Sequence, residues 1–278
     1  MKDYLRKAFP AQLISDPESA LKVVLSPEPR SVAGIIERTK TIGRVSQKDG
    51  LVEVMPLENI PHVFVAVFNK RSYMNLVLDR ASRFIEGNDG HLLTDEERLR
   101  GSRSRSIAGH DLTGKDLLRY RQADLKARSA RGNGSLTEGE RHRLAAEREF
   151  WDTFLTPALA KDPDLTLIAV TSLESSDENL SHEVLHAVYF SSARFRKLIH
   201  RFWSEEVSIS DQTAIKKKLS ASYDADNQTI VENEFQAYLL QKSSSYYELG
   251  AFVDDYQKRL MQFLERNGFH FGNLKFHK

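Results

Sequence analysis

Residues 182–186 read His-Glu-Val-Leu-His, and side chains of these types at this spacing point to metal-assisted hydrolysis. Histidines four apart on a helix lie about one turn from each other and project from the same face. Both imidazoles can then reach one tetrahedral Zn²⁺. Glu183, directly after the first histidine, lies near such an ion without ligating it, where it can take a proton from an activated water. The chain has nine histidines and no cysteine, so thiolate ligands are excluded and a further ligand must be His, Asp or Glu.

A catalytic zinc needs a third protein ligand and an open position. A histidine six residues past His186, after a glycine, would mark a metzincin. Tyr189 and Ser192 occupy those places, which removes that class. Two glutamate candidates remain. Glu205 and Glu206 stand nineteen and twenty residues past His186, a spacing used by thermolysin-like and aminopeptidase-like enzymes, but they read as an exposed helix end. Glu234 is more distant and sits mid-helix between apolar and aromatic neighbours, where a carboxylate has to be satisfied by something. Spacing favours the first pair and local chemistry favours Glu234.

The elements that must position these groups can be read outward from the motif. Ser175 and Glu178 form a capping box, and Leu180, Val184, Leu185, Val188 and Phe190 make the following helix apolar on several sides, so it should be buried. Upstream, Leu165–Val170 is a short apolar strand after the turn at Asp162-Pro163-Asp164. Downstream, a helix carrying Phe195, Leu198, Ile199, Phe202 and Trp203 separates from the motif helix near Ser191-Ser192. Further helices are expected from Ser210 to Ser220, from Asn227 to Leu240 and from Tyr246 to Leu264.

The N-terminal part gives a helix from Asp16 to Leu25, with Pro17 at its first position. Thr41–Val45 and Leu51–Met55 read as a hairpin across Asp49-Gly50. His62–Phe68 is a strand and Ser72–Ile85 an amphipathic helix. Residues 87–135 have little apolar content and read as a charged insertion, with a helix over Thr113–Ser129 capped by Thr113. Leu136–Thr156 is a further helix that Pro157 should stop.

His182-Glu183-x-x-His186 followed by Asn233-Glu234-x-x-Ala237 resembles the gluzincin superfamily of zinc metallopeptidases. Ala187-Val188-Tyr189, Tyr223 and Gln236-Ala237-Tyr238 are similar to the corresponding stretch of bacterial zincin-like proteins. The likeness spans roughly Asp177–Leu240. It implies a mainly helical α+β fold, with a small twisted sheet, a backing helix, the histidine helix and a glutamate-bearing helix. It also implies Zn²⁺ held by His182, His186 and Glu234, with Glu183 as general base acting on zinc-bound water. The aspartate that thermolysin-like sequences place about four residues past the glutamate is replaced here by Tyr238 and Leu239, so the histidines need another orienting partner. Tyr223 is the first candidate for an oxyanion donor, followed by Tyr238 and His200. Leu165–Val170, taken as a sheet edge, could pair with a peptide substrate. The expected organisation is an N-terminal elaboration over 1–60 and a catalytic domain over 61–278 that carries the 87–135 insertion.

Composition narrows the remaining classes. At 278 residues and net charge +1, no global electrostatic attraction to nucleic acid or membranes arises. No apolar run is long enough to span a bilayer, and the first residues lack the apolar core of a signal peptide. A cytoplasmic protein acting on a peptide or protein substrate is expected. The basic residues between Arg98 and Arg131 raise an alternative, an interaction module. Asp111, Asp116 and Asp124 among them favour a solvated charged surface over phosphate contact. A zinc-binding structural or regulatory protein is the other alternative, against which the intact Glu183 argues.

Overall fold

The computed structural model describes residues 21–42, 50–86, 92, 109–131, 138–172, 177–221, 223–241 and 249–271. They form a mainly helical α+β protein with a five-stranded mixed sheet. The strands are β1 (Leu21–Leu25), β2 (Gly50–Pro56), β3 (Val63–Phe68), β4 (Gly109–Thr113) and β5 (Thr166–Thr171). Before Ser176 the helices are α1 (Val32–Ile42), α2 (Arg71–Glu86), α3 (Gly114–Arg131), α4 (Glu138–Phe150) and α5 (Thr156–Lys161). Beyond it come α6 (Asp177–Ser191), α7 (Ala193–Glu206), α8 (Ile209–Leu219), α9 (Gln228–Leu240) and α10 (Ala251–Arg266). The chain divides into two compact units, Met1–Ser175 and Ser176–Lys278, and not near residue 60. None of the described helices is long and apolar enough to cross a membrane.

The first unit holds the whole sheet, in the order β1-β2-β3-β5-β4. β3 and β5 run parallel at its centre, Val63 opposite Thr166 through Phe68 opposite Thr171. Both are buried at every position, which their continuous apolar sequences require of strands covered on both faces. Aromatic pairs lock one face to the helices: Phe64 packs on Phe154 at 5.5 Å between ring centroids and Phe68 on Phe150 at 5.7 Å.

Several expectations are corrected here. β5 is not an edge, because β3 and β4 pair with its two sides; its backbone is already occupied and cannot take a peptide strand. Leu21–Leu25 is a strand parallel to β2, not the end of a helix, and the rest of the predicted 16–25 helix lies outside the described residues. The predicted hairpin is not seen among the described residues, and its turn and residues 43–45 lie outside them. Thr41 and Ile42 end α1, whose Val32, Ile35, Ile36, Thr39 and Ile42 are buried at helical spacing, and β2 pairs instead with β1 and β3. Gly50 serves close packing, since a Cβ there would stand 2.5 Å from the Tyr73 ring. β1 and β2 thus belong to the sheet, and the expected 1–60 elaboration supplies two of its strands.

Nor is the 87–135 stretch a solvated excursion where it is described. β4 is the edge strand beside β5, and it passes into α3 at Gly114, whose N–H reaches Leu165 O at 2.6 Å. A Cβ at Gly114 would stand 2.3 Å from Pro163 O. Thr113 caps α3 as expected, accepting from the Asp116 N–H at 3.2 Å. Leu117, Tyr120 and Asp124 then face inward, buried. Arg98, Arg100, Arg103 and Arg105 lie outside the described residues, but the α3 arginines are largely committed to the protein itself. Arg121 lies over the Trp151 ring, Arg119 over Phe84, and Arg128 pairs with Asp124 at 2.7 Å and Glu147 at 3.3 Å.

Pro157 does not stop the helix it was expected to end. Trp151–Leu155 is a π turn in which the Thr156 N–H bonds to Trp151 O, five residues back. The widened turn places Pro157 in the first turn of α5, where a missing N–H leaves no intrahelical bond unmade.

A polar pair is sealed under the edge strand. His110 on β4 and Ser82 on α2 are both buried, with Ser82 Oγ 2.5 Å from His110 Nδ1. Burial lowers the His110 pKa to about 3, so the folded protein keeps the ring neutral while the unfolded chain protonates it below about 6.5. The folded state therefore binds fewer protons. Its stability is complete above that value and falls as pH drops from 6.5 towards 3, by up to ~1.4 kcal/mol per pH unit. Between pH 7 and pH 5 this amounts to ~2 kcal/mol. Urea unfolding at the two pH values should show this loss in the wild type and a correspondingly smaller one in His110→Gln. An identical loss in both would refute the assignment.

The second unit is helical. Phe202 and Trp203 of α7 pack on Phe235 of α9, and Phe202 also meets Phe263 of α10 at 5.4 Å. Ser192 breaks α6 from α7 and caps α7, accepting from Phe195 N–H at 3.2 Å. Asn227 caps α9 through Thr229 and Ile230 N–H. Both helices start where the sequence placed them, near Ser191-Ser192 and at Asn227, and the capping role suits these residue types. Ser175, the expected cap of the motif helix, lies outside the described residues.

Candidate metal centre

The motif helix α6 is buried almost throughout. Leu180, Val184, Leu185, Ala187 and Val188 are buried, as an all-round apolar helix demands. One turn apart on it, the rings of His182 and His186 lie 4.5 Å from centroid to centroid and nearly perpendicular, at 89°. Helix α9 packs against α6, and the Gln236 side-chain amide donates to Leu185 O at 3.3 Å and to Asn233 Oδ1 at 3.2 Å. That packing carries Glu234 to the histidine pair. Glu234 Oε2 lies 3.6 Å from His182 Nε2, and Oε1 lies 3.6 Å from His186 Nε2. One ligand atom from each of the three residues falls within 4.8 Å of the others.

These separations test whether a metal fits. At 3.6 Å a nitrogen and an oxygen are too far apart for a hydrogen bond. Around a tetrahedral zinc with bonds of about 2.0–2.1 Å, however, ligand atoms stand about 3.3 Å apart. Glu234 Oε2 is buried and has no hydrogen-bond partner among the described residues, an arrangement that costs stability unless something else satisfies the oxygen. Burial pushes the Glu234 carboxyl up, but the adjacent His186, His182 and the Tyr223 hydroxyl more than offset this and hold it below the usual carboxylate range. Two imidazoles and an ionised carboxylate make a zinc donor set. The residues fit the ion.

No protein-family model, curated protein or solved structure matches the chain.

The alternatives for the third position stand elsewhere. Glu205 pairs with Arg201 at 3.2 Å and Glu206 with Arg259 at 3.0 Å, both at the end of α7. Glu183 is buried beside the histidines, a carboxylate oxygen lying within 4.8 Å of a His186 ring nitrogen.

The oxyanion candidates separate in the same way. Tyr238 packs its ring on His182 at 4.8 Å, and its hydroxyl lies 3.1 Å from that of Tyr223, which also reaches Glu234. His200 is directed at Glu232, with Nδ1 2.8 Å from Oε1. Glu232 also accepts from Gln228 Nε2 at 2.8 Å and from the Tyr189 hydroxyl. Burial, followed by the charge of Glu232, raises the Tyr189 hydroxyl well above the ordinary tyrosine range. Glu232 therefore joins α6, α7 and α9, and His200 belongs to that clamp.

One residue at the site was missed in the sequence. Gln241 is fully buried at the C-terminal cap of α9, with Oε1 2.7 Å from His182 Nδ1. It stands two helical turns past Glu234, a spacing that returns to the same face.

Proposed function

We propose that the protein is a zinc-dependent metallopeptidase of gluzincin type, in which His182, His186 and Glu234 hold the metal and Glu183 is the general base. The observation that carries this reading is the convergence of a buried Glu234, fifty-two residues past His182 in the chain, on the Nε2 atoms of both motif histidines at 3.6 Å. A zinc ion bound there supplies Lewis acidity and a water acidified towards neutral pH.

The chain's own residues account for the rest. Glu183 follows the first histidine in the chain, is buried, and takes a proton from the attacking water and returns it to the leaving amine. Tyr238, packed on His182, shields one side of the ring, while Tyr223 fixes the Glu234 carboxylate. The substrate proposed is an extended peptide or an unfolded protein segment. The alternative of an interaction module working through residues 98–131 is weakened by Arg121, which lies over Trp151, and by Arg128, which pairs with Asp124 and Glu147.

The test is direct. Purified protein is expected to carry about one zinc per chain by elemental analysis, and to cleave an unstructured protein in a reaction that a chelator stops and added zinc restores. A zinc-loaded chain that leaves casein and peptide libraries intact would overturn peptidase activity. Failure to bind zinc at micromolar concentration would overturn the site itself.

A further inference from the structure

We infer that Gln241 is a positioning residue that selects the His182 tautomer able to bind metal through Nε2, using a neutral amide as the acceptor. This rests on the zinc reading above. A histidine that ligates through Nε2 must carry its proton on Nδ1, and the partner of Nδ1 decides whether it does. In this chain that partner is Gln241 Oε1, at 2.7 Å. The opposite ring nitrogen, His182 Nε2, faces Glu234 Oε2. With Oε1 accepting from His182, Gln241 Nε2 is left buried with no hydrogen-bond partner among the described residues.

The backbone at this point is itself held. Gln241 N–H donates to Ala237 O at 2.9 Å, closing α9, and Gln257 Nε2 on α10 donates to Leu239 O at 2.7 Å. These bonds satisfy helix-end groups that otherwise lack partners. They also fix where the Gln241 side chain starts. Glu234 and Gln241 therefore reach His182 from one helix, the carboxylate towards Nε2 and the amide towards Nδ1. A neutral acceptor polarises the imidazole less than a carboxylate does, so the site holds its metal more loosely than a carboxylate-backed one.

Nitrogen-15 NMR of the metal-free wild type tests the tautomer directly: His182 is expected as the Nδ1–H form, and an Nε2–H form would overturn the inference. Zinc titration against a competing chelator tests the consequence. Gln241→Leu should weaken zinc about 10–100-fold and move His182 towards the Nε2–H form, whereas Gln241→Glu should keep the Nδ1–H form and bind at least as tightly as wild type. Gln241→Leu binding zinc within twofold of wild type while folded would refute the role. If the wild type bound no zinc, the metal reading would fall, and the tautomer measurement would still decide what Gln241 does.

Discussion

Glu183→Gln is expected to retain zinc at wild-type stoichiometry and lose hydrolysis, while Glu234→Ala is expected to lose both. The two carboxylates are close in space and differ in what they touch. In the proposed site Glu183 follows the ligand His182 without being one, so an amide of the same shape would leave the donor set of His182, His186 and Glu234 intact. Removal of a general base costs about 10²–10⁴-fold in rate. Glu234 places one oxygen 3.6 Å from the Nε2 atom of each motif histidine. Its loss leaves two histidines, and the effect on zinc affinity should exceed the roughly 10–100-fold seen when an outer-shell partner is removed. Zinc content after dialysis, read beside the cleavage rate, separates the two roles. Undiminished zinc in Glu234→Ala would exclude it as a ligand. Hydrolysis by Glu183→Gln within tenfold of wild type would exclude Glu183 as the base.

The largest effect on stability is expected far from the motif in the chain, at Asp124. This side chain is fully buried and pairs with Arg80 at 3.0 Å and Arg128 at 2.7 Å. Arg128 continues to Glu147, which also accepts from Arg143 at 2.6 Å and from the Tyr120 hydroxyl at 2.7 Å. Alanine at 124 would take away the carboxylate that the buried Arg80 and the partly buried Arg128 share. Breaking a buried pair from one side costs about 3–5 kcal/mol. The exposed Lys40–Glu37 pair, at 3.3 Å, supplies the contrast, since such pairs contribute about 0–1 kcal/mol. Urea unfolding should therefore separate Asp124→Ala clearly from Lys40→Ala. Equal midpoints would mean that the network is compensated elsewhere and that the arginines of α3 are free for other partners.

The same network explains the largest misreading of the sequence. Segments with continuous apolar runs or clear caps were legible: β3, β5, α2, and the starts of α7 and α9 follow from residues such as Val65, Ile168, Ser192 and Asn227. The helix through Asp124 was legible from its Thr113 cap, but its burial was not, because that burial is achieved by charge pairing, and hydropathy counts a buried arginine as if it were in water. Helix α1 was missed for a different reason. Its threonines and isoleucines carry strand propensity, and the packing of Ile35, Ile36, Thr39 and Ile42 overrides it. At the site, the two histidines were legible because four-residue spacing is local. Choosing Glu234 over Glu205 and Glu206 needed the resemblance as well as the apolar surroundings, and Gln241 was not legible because a neutral amide at a helix end carries no signal of its own.

Helix α9 carries Glu234, Tyr238 and Gln241 within two turns, all addressed to His182 or its partner ring. A one-residue slip would turn that face by about 100° and remove the carboxylate, the packing ring and the amide together. The centre thus behaves as a lock with a single key. A deletion or insertion within α9 should abolish the site outright, whereas the same change in the loop before Asn227 leaves the key uncut and alters only how it is carried.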